Sequence, residues 1–229
     1  MRQFISAVVR FSPIALSLLG ACDTGTGPKD GRPVVFQLAA SAQKIFPSGP
    51  LVITSFRLIA GGTALGNGNQ FGCQDCNDPG PEAGATPEIV TVPLDGTPVS
   101  LRTEGVQPGT YSMMEVEVVS PTSQILAATP GWTGTTTMVI EGTQSGRPFL
   151  LALGVEGTFR EQLATPVVVG ASARPASVTV TLTLPVRSWF TSAAGTSLDP
   201  TDPAQFALIK ANAGRSFGPL EKSGPESAR

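Results

Sequence analysis

Glycine and proline interrupt this chain so often that long helices are excluded before any element is named. The 229 residues carry 26 glycines and 21 prolines with no fixed period. Both residues weaken helix interiors, but they bound strands and fill turns. Between them lie short apolar runs with strand chemistry, at 33–41, 51–61, 88–94, 110–119, 136–142, 148–157, 165–171 and 176–186. The pattern predicts about eight strands. The clearest covers 177–184, where Val178, Val180, Leu182 and Leu184 alternate with Ser177, Thr179, Thr181 and Thr183. Such alternation sends one face to a core and the other to water.

With 41% hydrophobic and 14% charged residues, the chain can bury a real core as one domain. Hairpin-length gaps between strands point to an all-β fold. The expectation is an antiparallel two-sheet sandwich of transthyretin-like or immunoglobulin-like topology, with a barrel as the alternative. One short helix is expected near the end: Asp202 as N-cap, Pro203 in the first turn, and Gln205 three residues on as in a capping box. Phe206 and Ile209 would face inward, and Asn212 to Gly214 would end it. No internal repeat is found.

The amino terminus reads MRQFISAVVRFSPIALSLLGAC. Arg2 and Arg10 form a basic leader, Phe11 to Leu19 an apolar segment, and Gly20 and Ala21 supply small residues before Cys22. This is the anatomy of a secretory signal, and its apolar run is too short to span a bilayer. Leu19-Gly20-Ala21-Cys22 resembles the lipobox of bacterial lipoproteins. That resemblance implies a signal peptide over 1–21, cleavage before Cys22, acylation of its thiol and often of the new amino terminus. The protein would then be tied by its acyl chains to the inner or outer membrane of a bacterial envelope, facing away from the cytosol. Asp23 resembles an inner-membrane retention signal of some enteric bacteria, and the leaflet stays open. Residues 22–32 read as the acylated cysteine and a polar tether with a reach of roughly 18 Å as a loose coil. Residues 33–217 are the expected domain, and 218–229 a polar, frayed tail. Loss of the leader leaves 13 basic against 17 acidic side chains, a formal charge of −4.

A second resemblance covers much of the mature chain. Val106-Gln107-Pro108-Gly109-Thr110-Tyr111 leads into an alternating strand, and the tail holds Trp189-Phe190, Gly195-Thr196-Ser197-Leu198-Asp199-Pro200 and Asn212…Ser216-Phe217. These runs look like those of uncharacterised bacterial lipoproteins with prealbumin-like or immunoglobulin-like sandwich domains. The resemblance implies a fold and is silent on chemistry.

The chain contains no histidine. An imidazole base, a Ser-His-Asp triad, a Cys-His pair and histidine metal sites are therefore excluded. A pI near 5.2 supplies no broad cationic field for nucleic acid. Cys73 and Cys76 lie in FGCQDCNDPGPE. Zinc would have to recruit Asp75, Asp78 or Glu82, an uncommon set. A redox pair wants a helix after its first cysteine, and Pro79, Gly80 and Pro81 oppose one. An exported chain folds where thiols oxidise, so a local Cys73 to Cys76 disulfide is the favoured reading, contributing roughly 2 kcal/mol. Asp75, Asn77, Asp78 and Glu82 are also oxygen ligands of the kind calcium uses, though without EF-hand spacing, and turn formation is the favoured account.

Glu115 and Glu117 lie two apart on one strand face, about 7 Å from each other, within the range of inverting glycosidases. A solvated strand face is the favoured reading of that pair. Trp132 and Trp189 could stack on a sugar ring, and core packing is favoured for both. Lys44 and Lys210 have no serine at catalytic spacing. The functional expectation is a lipid-anchored binding or scaffold module of the envelope. It would have no catalysis and no cofactor, and its partner would be an unknown envelope protein or glycan met through loops such as 66–87. The alternatives are a glycan hydrolase using Glu115 and Glu117, or a calcium-dependent adhesin using loop 73–82.

Overall fold

The computed structural model describes residues 32–41, 50–67, 70–71, 86–170 and 177–218. They form ten strands and three helices. In chain order the strands are β1 (Arg32–Ala40), β2 (Leu51–Asn67), β3 (Gln70–Phe71), β4 (Glu88–Thr91), β5 (Val99–Val106), β6 (Gly109–Val118), β7 (Met138–Gln144), β8 (Arg147–Leu153), β9 (Gly157–Val169) and β10 (Val178–Leu184). The helices are α1 (Ser123–Ala128), α2 (Val186–Trp189) and α3 (Pro203–Arg215). The mostly β fold and the C-terminal helix agree with the sequence reading. The strictly antiparallel expectation does not hold, because β1 pairs with β10 in parallel from Val34↔Val178 to Ala40↔Leu184. The reason is topological: a strand from each end of the chain meets in one three-stranded sheet, ordered β10-β1-β5.

The second sheet runs β8-β7-β2-β6-β9, with β3 and β4 also on β2. Its geometry turns on Ile59. Ile59 donates its N–H to the Thr137 carbonyl (2.9 Å) and accepts from the Val119 N–H (3.2 Å). The N–H and C=O of an extended residue point to the same edge, so β6 and β7 lie end to end along one edge of β2. The chain between them, 119–137, is looped out and carries α1, capped by the Thr122 side chain on the Ile125 N–H. β9 and β8 continue each other in the same way along the far side of β6 and β7. Thr137, fully buried, holds this second break. Its hydroxyl lies 3.1 and 2.8 Å from the carbonyls of Leu153 and Val155 and accepts from the Val155 N–H at 2.9 Å. Gly142 marks the closest backbone approach, because a Cβ there would lie 2.1 Å from the Val52 carbonyl oxygen.

One core lies between the two sheets. Val34, Phe36, Leu38, Val180, Leu182 and Leu184 of the small sheet meet Phe56, Leu58, Met114, Val116 and Ile140 of the large one. A smaller cluster of Ile59, Ile125, Trp132 and Val139 fills the space under the 119–137 excursion. This explains why β2 is buried on both faces from Leu58 to Thr63. The sheets are also joined at a corner, where the β10 amide of Thr183 donates to Glu161 of β9 at 2.7 Å.

The segment 186–217 closes one end of the core. Trp189, Phe190, Leu198, Ile209, Ala213 and Phe217 are all buried. Asp202 caps α3 by accepting from the Ala204 N–H at 3.0 Å, and Ile209 and Phe206 pack inward as expected. Gln205 departs from the capping-box pattern. It donates to the Asp202 carboxylate (2.8 Å) and accepts from the Asp199 N–H (2.8 Å), so it ties down the approach to the helix. Asn212 does not end α3, which runs to Arg215. Its amide instead donates to the carbonyls of Trp189 and Thr191, both at 3.1 Å, stitching α3 to α2. Gly218 pairs with Thr158, one residue past the expected domain boundary.

Candidate functional site

The two glutamates of β6 share a strand face, as their spacing requires, but they are not equivalent and not both solvated. Glu115 is only 2% exposed. Its Oε2 lies 2.9 Å from Nε of Arg160, its cross-strand partner on β9. Glu117 is half-buried, and its Oε2 accepts from the backbone N–H of Gly62 at 3.1 Å. The favoured reading of a solvated face is therefore corrected at Glu115. The strand is wider in the sheet than its own sequence suggests, since β9 begins at Gly157 and brings Arg160 alongside. Each carboxylate is engaged by a structural donor: one closes an ion pair between strands, the other satisfies the Gly62 amide, where the register of β2 against β6 shifts between Ala60 and Thr63. A glycosidase pair needs one carboxyl free to carry a proton to a leaving group and the other free to act on water or carbon.

Both tryptophans lie indoors. Trp189 has no exposed surface. It packs edge-on against Phe56 at 5.7 Å and against Phe217 at 6.2 Å, and its indole N–H donates to Ser216 at 2.9 Å. Trp132 is 8% exposed and lies in the cluster beneath the 119–137 excursion. The Arg57 guanidinium sits 6.0 Å from its ring centroid and pairs with Glu141 at 2.5 Å. Neither ring presents a face on which a sugar could stack.

Three further polar side chains escape a sequence reading. Thr63, buried in β2, donates to Glu104 of β5 at 3.1 Å, and Arg102 lies 3.5 Å from the same carboxylate. β5 itself is missed by pattern reading, because Arg102 and Glu104 interrupt any apolar run. Lys210 is exposed on α3. Cys22, Lys44, Cys73, Asp75, Cys76, Asn77, Asp78 and Glu82 lie outside the described residues, as does most of the 66–87 loop. Among the described residues, no group of three or more acidic or cysteine side chains could hold a metal. No described helix is long and apolar enough to cross a membrane.

The motif residues of the second resemblance have structural work. Val106 and Gly109 bracket the Gln107-Pro108 turn that carries the chain from β5 in the small sheet to β6 in the large one, and Tyr111 folds back to donate to the Gln107 carbonyl at 2.8 Å. A Cβ on Gly109 would lie 3.3 Å from that ring, so glycine leaves the ring room. Trp189, Phe190, Leu198 and Phe217 build the closed end of the core. No family model, no curated protein and no solved structure matches the chain.

Proposed function

We propose that this chain is a lipid-anchored, extracytoplasmic β-sandwich of a bacterial envelope, of transthyretin-like or immunoglobulin-like type, acting as a binding or scaffold module. The observation that carries the reading is the leader ending in Leu19-Gly20-Ala21-Cys22. Two further facts support it. A histidine-free chain lacks the commonest hydrolytic machinery. Its best-placed carboxylates, Glu115 and Glu117, are held by Arg160 and Gly62.

Fractionation of the native host tests the anchor. The wild-type protein is expected in the membrane pellet, extracted by detergent and not by high salt. C22S, which removes the acylated thiol, is expected to leave that fraction. A C22S protein that stays with the membrane to the wild-type extent would contradict the proposal.

A further inference from the structure

The fold leaves one strand edge of the large sheet open. Ser145 and Gly146 are the whole turn between β7 and β8, so the flanking pair Gln144 and Arg147 exchange both ladder bonds. Alternation then turns the backbone groups of Phe149 and Leu151 toward β7, and those of Pro148, Leu150 and Ala152 away from it. The far side of β7 agrees in parity, since the Ser145 N–H donates to the Pro50 carbonyl ahead of β2 at 3.0 Å. Among the described residues, no strand pairs with β8 on its outer side and no backbone group bonds to Leu150 or Ala152 there. Both side chains are exposed, Leu150 at 63%.

Other edges are blunted. β4 has four residues between Pro87 and Pro93, β5 carries Arg102 and Glu104, and the Thr183 amide of β10 donates to Glu161. β9 is met by the chain itself: Gly218 donates to the Thr158 carbonyl at 2.8 Å and accepts from its N–H at 3.0 Å, as an antiparallel bridge. Thr158 is thus an outward residue of β9, and β9 continues the line of β8. A chain that stays extended beyond Gly218 runs back along that line, toward Ala152 and Leu150. Eleven residues, 219–229, follow Gly218. At about 3.3 Å each they reach about 36 Å, while the eight residues from Leu150 to Thr158 span no more than about 29 Å.

Pro219 and Pro225 fit this path. Gly218 turns both backbone groups toward β9, so an extended continuation turns 220, 222, 224 and 226 inward and 219, 221, 223 and 225 outward. Both prolines fall on outward positions, where a missing N–H takes nothing from the ladder. We propose that residues 219–226 add a strand to the free edge of β8, pairing with Leu150 and Ala152, and so close the large sheet against edge-to-edge contact with other chains. A second copy that laid its own β8 there would satisfy the same groups. It would have to displace a segment tethered at Gly218, whose effective concentration is on the order of millimolar. Nothing in this pairing depends on Cys22.

Hydrogen exchange resolved to single amides tests the pairing, on the full chain and on a chain stopped after Gly218, both purified from the native host. Leu150 and Ala152 are expected to exchange about tenfold or more slower in the full chain, while Phe149 and Leu151, bonded to β7, stay slow in both. G224P removes an inward N–H and is expected to release Leu150 and Ala152. S223P removes an outward one and is expected to leave them protected. Equal rates at Leu150 and Ala152 in the full and the shortened chain would overturn the inference: fast in both means an open edge, and slow in both means another occupant, a second copy if dilution releases it. Equal behaviour of G224P and S223P would overturn it as well. Where the shortened chain also loses protection at Phe149 and Leu151, β8 itself has loosened and the two proline variants decide.

Discussion

Tyr111 and Ser145 show how single positions set the turns of this domain. The Tyr111 hydroxyl donates to the Gln107 carbonyl across the β5–β6 turn. Y111F removes that bond and keeps the ring over Gly109, so it is expected to cost about 1 kcal/mol in urea unfolding of the mature domain. Ser145 adopts φ 52° and Gly146 φ 79° in the two-residue turn between β7 and β8. These are the left-handed angles of a type I′ turn, which asparagine tolerates better than serine at the first position. S145N is expected to stabilise the domain by roughly 0.5 to 1 kcal/mol, read as a rise in Tm of about 1 to 4 °C. The Pro-Gly turn before Tyr111 was legible in the sequence because turn residues act locally. The role of the tyrosine was not, since it depends on where the ring folds back.

Between elements, the Glu115 to Arg160 pair is the sharpest case. The glutamate side chain is 3% exposed and the arginine 29%, so removing the arginine takes a cationic partner from a buried carboxylate. R160M is expected to destabilise by about 2 to 4 kcal/mol, a range lowered because the guanidinium keeps some water. E115M/R160M should recover most of that loss in the same denaturation series. If R160M alone is neutral, the pair does not hold β6 to β9. Alternation within MMEVEVV placed Glu115 on the correct face, but its burial depends on β9, whose first half, GTFREQ, has no strand-like apolar run. The same limit hid β5 and the parallel pairing of β1 with β10. Long-range pairing leaves little trace within one strand's own sequence. α3 was legible because Asp202 and Pro203 form a local start signal, and Asn212 misled because its amide serves α2.

At the scale of the whole molecule, the chemistry-bearing residues that sequence reasoning singled out fall into two groups. Glu115, Glu117, Trp132 and Trp189 are built into the sheets and the core, where they hold the fold. Cys22, Cys73, Cys76 and the acidic residues around the latter two lie outside the described residues. The strand pattern was readable because it is continuous in sequence. Pairing between distant strands, such as β1 with β10, is not. The proposed location and redox setting both depend on the acylated thiol of Cys22. Intact-mass analysis of the protein from its own host membranes tests it most directly. The expected mass is that of a chain beginning at Cys22 with two or three acyl chains attached, and a chain that retains Met1 and its leader without acyl chains would contradict the account.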